Sequence, residues 1–250
     1  VSLSGGVDSM VVLTCCKRLG KNVKAIHIDY NNRETSNEES KFVETYCDLI
    51  NVPLVTRNIT EFKRGDIERD KYEKYTQKIR FDEYKKLNCP IILGHNRDDV
   101  FENIITNINS CKGVNSLTGM KGIDIINEVY IHRPLLATWK ADIITFAKNN
   151  NISYLYDSTP KWSQRGKIRD NIVRSMDVFD KNLRNNIINF IDDLQDITSN
   201  IVEKKQVYMK NEISNNVTFW NTVLQYPRCK SVRTLIQLID SSKNGIVHLN

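Results

Sequence analysis

The chain has 250 residues, of which 40% are hydrophobic and 26% charged, a globular composition with room for one ordinary domain and a smaller one. No apolar run approaches the length needed to cross a bilayer, so we expect no membrane association. Lysine and arginine exceed aspartate and glutamate by a formal +6, which permits a nucleic-acid partner but does not require one.

Six cysteines are spread along the chain, and no two form a C-x-x-C pair. This spacing argues against a zinc site, an iron–sulfur cluster or a small disulfide framework. Reduced, buried thiols are typical of cytoplasmic proteins, and the cytoplasm is the expected location. Residues 1–3 read as the end of a strand whose start is missing, so an organellar targeting segment remains an open alternative.

Hydrophobic periodicity predicts alternating strands and helices over the first 176 residues. Ser36 and Glu39 have capping-box spacing, and Thr138 is a candidate helix cap. The predicted strands are 1–3, 23–28, 54–56, 90–94, 129–131 and 152–156. The predicted helices are 7–19, the stretch after Ser36, 66–87, the stretch around 100–108 and the stretch after Thr138.

This alternation predicts an α/β fold with a Rossmann-like parallel sheet covered by helices on both faces. Ligands of such sheets bind beyond the carboxyl ends of the strands. The pattern changes after residue 176, and 178–210 read as helix. We therefore predict a catalytic domain at 1–176 and a smaller, mainly helical and incomplete region at 177–250.

The hexapeptide Ser4-Gly5-Gly6-Val7-Asp8-Ser9 lies where the first strand turns into a helix. Two glycines let the backbone approach an anion, and the helix N-terminus presents free N–H groups and a positive dipole end. The two serine hydroxyls can add donors. Asp8 would repel a phosphate unless a cation intervened, which suggests Mg²⁺ nearby. The hexapeptide is not a Walker A sequence, because no Gly-Lys-Ser/Thr follows.

Three acidic residues, Asp98, Asp99 and Glu102, open the helix that follows the strand at 90–94. Helix capping by Asp98 is one interpretation, and a carboxylate site for Mg²⁺ or an amine is the other. His27 and His95 both end predicted strands, which makes a shared cleft plausible, although a single histidine is more often a satisfied buried side chain. Arg133 is interpreted either as a structural ion pair or as a cleft residue.

The segment 137–176 holds seven basic side chains against three acidic ones, with Tyr156 and Trp162 among them. Clustered cations with aromatic rings suit an RNA backbone and an unstacked base. A solvated basic face is the simpler alternative. Arg165 and Arg169, four residues apart, could also bind the phosphates of a nucleotide.

The hexapeptide resembles the loop of the pyrophosphate-loop (PP-loop) ATPase superfamily, and four further segments resemble the tRNA(Ile)-lysidine synthetase family within it. They occur in the family's order over roughly residues 1–176. They are His27-Ile28-Asp29-Tyr30-Asn31-Asn32-Arg33; Gly94-His95-Asn96-Arg97-Asp98-Asp99-Val100-Phe101-Glu102; Asn115-Ser116-Leu117-Thr118-Gly119-Met120 with Arg133-Pro134-Leu135-Leu136; and Asp157-Ser158-Thr159 with 165–169.

This resemblance implies a fold of the adenine nucleotide alpha hydrolase type and the cofactors ATP and Mg²⁺. It implies that the enzyme adenylates O2 of the wobble cytidine in a tRNA(Ile) with a CAU anticodon, and then joins the ε-amine of free L-lysine to C2 to give lysidine. A homodimer is left open. The implied catalytic residues are Asp8, His95, Asp99 and Glu102; the ATP site is residues 4–9 with His27 and Ile28; Mg²⁺ is held by Asp8 and Asp99; and the tRNA or substrate residues are Asp29, Arg33, Arg80, Arg133, Asp157, Arg165 and Arg169.

The chain departs from the family pattern at Tyr30, Asn103, Thr159 and Gly166, which indicates a divergent member. Two alternatives stay open: a tRNA thiolase of the same superfamily, against which the lack of a C-x-x-C pair counts, and a catalytically inactive nucleotide- or RNA-binding module.

Overall fold

The computed structural model describes residues 1–32, 35–62, 65–156 and 164–212. Among these, the strands are β1 (Ala25–Asp29), β2 (Leu54–Asn58), β3 (Ile91–Ile92), β4 (Ile123–Ile126) and β5 (Val129–His132). The α-helices are α1 (Val7–Arg18), α2 (Ser36–Leu49), α3 (Arg69–Lys86), α4 (Arg97–Asn109), α5 (Lys140–Asn149), α6 (Gln164–Lys167), α7 (Arg174–Phe179) and α8 (Leu183–Glu212), with a 3₁₀ turn at Val114–Ser116 and a π-helical stretch at Ile168–Val173. The predicted α/β class is confirmed.

The strands form a mainly parallel sheet. β1 pairs with β2 in parallel, and β3 pairs with β5 in parallel. Residues 1–3 join these two pairs, because the Leu3 amide donates to the Ile26 carbonyl and the Ser2 amide donates to the Ile92 carbonyl. β4 runs antiparallel to β5 at the other edge, which the prediction of a parallel sheet did not include.

Two predicted strands are reduced to single β-bridges. The segment 1–3 contributes only the Ser2–Ile26 bridge, and the segment 152–156 contributes only the Gly6–Leu155 bridge. The second bridge fixes the backbone of the hexapeptide at 4–9, which we call the phosphate loop. In this bridge the Leu155 amide donates to the Gly5 carbonyl at 2.9 Å.

The hydrophobic core lies in two clusters. One is built mainly from α1, α2 and α5 and includes Met10, Leu13 and Ile143. The other is built from α3 with β1, β3 and β5. β1 is buried along its whole length, so its carboxyl end is held rigidly where a parallel sheet binds its ligands.

Two cap predictions were wrong. The N-cap of α2 is Thr35 rather than Ser36, and the Thr35 hydroxyl donates to the Glu39 carboxylate. The N-cap of α5 is Trp139, one residue beyond Thr138. The predicted helix at 178–210 is interrupted at 180–182, where Asp180 has an extended backbone and its carboxylate accepts from the Asn182 amide.

Contact clustering divides the chain into two compact units, Val1–Phe190 and Ile191–Asn250. All of the site residues described below lie in the first unit. None of the helices in the described part of the chain is both long enough and apolar enough to cross a membrane.

Candidate nucleotide and RNA site

The phosphate loop turns sharply at Gly5, whose φ of +81° favours glycine. A Cβ at Gly5 would lie 2.7 Å from the Leu155 side chain. The Ser9 hydroxyl donates to the Gly6 carbonyl at 2.9 Å and accepts from the Ser4 amide at 3.2 Å. The buried Ser9 therefore holds the loop closed, while Ser4 is exposed and can meet a ligand.

The N-cap of α1 is Gly6, and no side-chain cap is found there among the described residues. Its leading N–H groups, from Val7 onward, are therefore open to an anion, and the helix dipole favours negative charge there. Gly94, after β3, packs directly against this turn: a Cβ at Gly94 would lie 2.9 Å from the Ser9 nitrogen. Glycine is needed at residue 94 because the two backbones approach so closely.

Asp8 has two partners. Its Oδ1 accepts from the Asn96 amide side chain at 3.1 Å, and its Oδ2 accepts from the Lys140 ammonium at 2.5 Å. Lys140, one of the basic residues of the segment 137–176, therefore places a positive charge beside Asp8.

Asn96 is a site residue that the sequence analysis missed. It is buried, and it forms a reciprocal capping box with Asp99. The backbone N–H of Asp99 donates to Asn96 Oδ1 at 3.1 Å, and the backbone N–H of Asn96 donates to Asp99 Oδ2 at 3.0 Å. An asparagine three residues before an aspartate at a strand–helix junction was the available signal. Asn96 therefore links the loop carboxylate to Asp99.

Asp98 does not cap its own helix, so that interpretation was wrong. Its Oδ2 accepts from the backbone amide of Lys140, the first residue of α5, and its Oδ1 pairs with Arg184 at 2.8 Å. The Arg184 guanidinium lies 4.7 Å from the Trp139 ring and also pairs with Asp177. Asp98 thus orients the start of α5 and, with it, Lys140.

Glu102 is buried at 2% exposure and meets two arginines. Arg169 Nε pairs with its Oε1, and Arg165 Nε lies 3.6 Å from its Oε2. Arg165 also lies 3.7 Å from Asp99. Burial raises the pKa of Glu102, and the hydrogen bond from Arg169 opposes that rise. Within the described residues, Oε2 has no hydrogen-bond partner.

His95 and Arg133 meet beside these carboxylates. Arg133 is buried, and its Nε lies 3.2 Å from His95 Nδ1. The pKa of His95 is lowered to about 4, mainly by burial; Asp99 opposes this shift, and Arg133, Arg165 and Arg80 add to it. The imidazole is therefore neutral near pH 7.

Other predicted site residues lie apart from this network. His27 is buried in β1, with its ring nitrogens 2.8 Å from the Leu3 carbonyl oxygen and 3.1 Å from the Ser40 hydroxyl. Asp29 accepts from the Asn31 amide and from Ser40. Ile28 is buried in the same strand. Arg80 lines a cavity of about 530 Å³ with Tyr30. Arg33 and Asp157 lie outside the described residues.

The contacts form a continuous path from the phosphate loop to the basic segment. It runs through Asp8, Asn96, Asp99, Arg165, Glu102 and Arg169. The π-helical stretch at Ile168–Val173 carries Arg169, and such stretches are frequent at functional sites. In the described part of the chain, no three side chains of histidine, cysteine, aspartate or glutamate come together as a metal site.

Comparison with known proteins gives consistent results. The PP-loop domain family model matches residues 1–176. Over 164 residues the chain is 32% identical to the tRNA(Ile)-lysidine synthase of Mycoplasma genitalium, covering 64% of this chain and 54% of that protein. Over 189 residues it is 32% identical to the tRNA(Ile)-lysidine synthase of Mycoplasmopsis pulmonis, covering 69% and 61%.

Among solved structures, the chain is similar to the U34-tRNA thiolase NcsA of Methanococcus maripaludis, with a TM-score of 0.62 and 17% identity over 78% of this chain and 71% of that one. At this identity the likeness concerns the fold alone. The chain spans little more than half the length of the two curated relatives. The chain belongs to the PP-loop domain family, and its curated relatives are tRNA(Ile)-lysidine synthases, as the sequence motifs predicted.

Proposed function

We propose that the chain catalyses ATP-dependent modification of tRNA, converting the wobble cytidine of a tRNA(Ile) with a CAU anticodon to lysidine. The observation that carries the proposal is the unbroken path of contacts from Asp8, on the phosphate loop, to Arg169, in the basic segment. A reaction that joins a nucleotide to an RNA base needs both groups in one cleft. The sequence similarity to tRNA(Ile)-lysidine synthases supports the same activity.

In the first step, O2 of the cytidine attacks the α-phosphate of ATP, an O–P bond forms, and pyrophosphate leaves. The open N–H groups of α1 would bind the departing pyrophosphate. Lys140, which lies against Asp8, is placed to add a positive charge. We also propose that residues 4–9 bind the phosphates of ATP and that the end of β1 binds its adenine.

In the second step, the deprotonated ε-amine of lysine attacks C2, the C2–O2 bond breaks, and AMP leaves with O2, while the excess protons of the nitrogen pass to solvent. Free lysine carries two ammonium groups, which require acidic partners. Glu102 is suited to this role because it is buried and its Oε2 lacks a hydrogen-bond donor within the described residues. Asp99, which also faces Arg165, is the second candidate.

The site suits Mg²⁺ only when phosphates of the substrate supply part of its coordination. The Asp8 oxygens accept from Asn96 and Lys140, and Asp99 accepts from the Asn96 amide, so these side chains alone form no cage. Magnesium commonly takes one or two carboxylates together with substrate phosphates. Asp8 and Asp99 are the residues that would hold it, and it would supply positive charge beside the phosphates.

On the RNA side, Arg165 is half exposed, and we propose that it and Arg169 contact the tRNA. We also propose that the region after residue 176 contributes to tRNA binding, that the protein acts in the cytoplasm, and that residues 1–176 are the catalytic domain. Whether it acts as a homodimer is a separate question for solution measurements.

The test is to incubate the purified chain with ATP, radiolabelled lysine and a tRNA bearing a CAU anticodon. We expect ATP-dependent incorporation of label into tRNA, none with a CAU-free tRNA, and none with Asp8→Ala. Asp142→Ala is the matched control, since Asp142 is exposed on α5 and faces no site residue in the contacts above. Absence of incorporation by a folded chain that binds both ATP and the tRNA would refute the proposal.

A further inference from the structure

The contact between Arg133 and His95 determines which ring nitrogen of His95 accepts a hydrogen bond. Arg133 is fixed from the β4 side: its Nη1 donates to the Lys121 carbonyl at 2.7 Å, and its amide donates to the Gly122 carbonyl at 2.7 Å. Its Nε, held in this way, lies 3.2 Å from His95 Nδ1. A guanidinium has donors and no acceptor, so Nδ1 must be the acceptor.

The tautomer of His95 follows from this contact. In a neutral imidazole one nitrogen accepts and the other carries the proton, and Nδ1 is the acceptor here, so the proton is on Nε2. Protonating Nδ1 would place an N–H against the Arg133 N–H. Neither nitrogen of His95 is therefore free to take a proton from an attacking amine.

Most of the charged groups around His95 also favour the neutral imidazole. Arg133 follows β5, Arg165 is on α6 and Arg80 is on α3, and all three disfavour an imidazolium. Asp99 on α4 is the one opposing charge among the groups that affect His95. Three cations and burial outweigh one carboxylate that is already engaged by Asn96.

We propose that His95 is a hydrogen-bond donor, through Nε2–H, to an oxygen of the bound substrate, and that Arg133 is the positioning residue that fixes this tautomer. This inference rests on the proposed function, and it excludes His95 as the general base. The oxygen acceptors in the cleft would be those of the phosphates or of the cytidine. Such a donor stabilises charge that develops on oxygen during the reaction.

Two variants separate the possible roles of His95. His95→Gln places an amide N–H near the position of Nε2, whereas His95→Asn places an amide near Nδ1, where it can satisfy Arg133 but offers no donor at Nε2. We expect kcat of His95→Gln to remain within about tenfold of the wild type and kcat of His95→Asn to fall about a hundredfold or more. Greater activity in His95→Asn than in His95→Gln would indicate a purely structural role, and equal inactivation of both would indicate a base; either result overturns the proposal.

Nuclear magnetic resonance tests the tautomer without any activity. In the full chain labelled with ¹⁵N, the His95 ring, assigned by the loss of its signals in His95→Gln, should show a protonated Nε2 and an unprotonated Nδ1 from pH 8 down to about pH 5. A protonated Nδ1, or titration near the ordinary pKa of 6.5, would overturn the proposal. Lysine incorporation by the wild type tests the proposed function separately, so the two failures are distinguishable.

Discussion

At the scale of single residues, Asn96 has two separable tasks. Its side-chain oxygen caps α4, and its side-chain nitrogen donates to Asp8 of the phosphate loop. The cap concerns the stability of the helix, and the bond to Asp8 concerns the position of a carboxylate beside the proposed nucleotide site. Substitutions can retain one task and remove the other.

We predict that Asn96→Asp keeps the cap, since aspartate caps as well as asparagine, but loses the donor to Asp8 and adds a like charge beside it. Its free energy of unfolding should stay closer to the wild type than that of Asn96→Ala, which should lose about 1 kcal/mol or more. Both variants should raise KM for ATP. Denaturant unfolding and ATP titration measure the two effects, and wild-type ATP affinity in Asn96→Asp would contradict the assigned link.

Glu102 makes stability depend on pH in a defined direction. Burial raises its pKa in the folded protein above the ordinary value of 4.5, so the folded state disfavours the charged form. A group with a raised folded pKa contributes its full stability below the unfolded pKa and loses it as the pH rises through the folded pKa. The ionised Glu102 therefore costs stability at neutral pH.

We predict that Glu102→Gln has a higher Tm than the wild type at pH 7 and that this gain disappears as the pH falls below about 4.5. Thermal unfolding from pH 4 to pH 8 measures it. Glu73→Gln is the control, because Glu73 is exposed on α3. A Tm gain that grows toward low pH would contradict the direction of the pKa shift. We expect Glu102→Gln to lose lysine incorporation, because removing a functional charge from a buried site commonly raises stability at the cost of activity.

At the scale of elements, the end of β3 and the start of α1 are in direct backbone contact at Gly94. We predict that Gly94→Ala destabilises the protein by about 1–3 kcal/mol, as overpacking does, and weakens ATP binding by displacing the loop. Gly113→Ala is the matched control, since no atom lies within 4 Å of its added Cβ and its φ is −68°. Equal Tm values for the two variants would show that the loop yields without cost.

Arg165 and Arg169 lie four residues apart but differ in their surroundings. The Arg165 side chain is 52% exposed, whereas Arg169 pairs with the buried Glu102. We predict that Arg165→Gln weakens tRNA binding and reduces its salt dependence with little change in Tm. Arg169→Gln should also lower Tm, because it leaves a buried carboxylate without its main partner. Filter binding at several salt concentrations measures affinity, with Lys78→Gln as the control because Lys78 is exposed on α3 outside the segment 137–176. Unchanged affinity in both arginine variants would refute an RNA role.

Several of these elements were predictable from local pattern, and others were not. The loop, α1, β1 and the acidic start of α4 follow from periodicity and glycine spacing. β4 was missed because its exposed positions are isoleucines, Ile123 and Ile125, while Asp124 is half-buried, so the apolar pattern does not mark the buried face of the strand. The pairing of Lys140 with Asp8 joins residues 132 positions apart, and no local rule specifies such a contact.

At the scale of the whole molecule, the contacts of Arg184 bear on where the first unit ends. Arg184 pairs with Asp98 on α4 and Asp177 on α7, and Arg97 donates to Asn185 and Asn189. Asp177, Arg184, Asn185 and Asn189 follow the predicted boundary at 176, yet all four lie within the compact unit that ends at Phe190. The boundary at 176 stays a prediction, and it coincides with the end of the family match.

We predict that limited proteolysis of the full chain yields a resistant fragment ending near residue 190, because α7 and the first turns of α8 are tied to α4 and α5. Mass spectrometry of the fragments identifies the cut. In Arg184→Ala the cut should move toward residue 176, and Arg174→Ala serves as the control. A resistant wild-type fragment ending at 176 would support the boundary expected from sequence instead.

We propose that one cleft splits ATP at its α-phosphate and joins an amine to an RNA base. The most direct measurement is to quantify AMP, pyrophosphate and lysidine together in a reaction of the wild-type chain with ATP, lysine and tRNA of CAU anticodon. We predict one AMP and one pyrophosphate for each lysidine formed, and none of these products with Asp8→Ala. Formation of ADP and phosphate, or of AMP without any lysine in the tRNA, would contradict it.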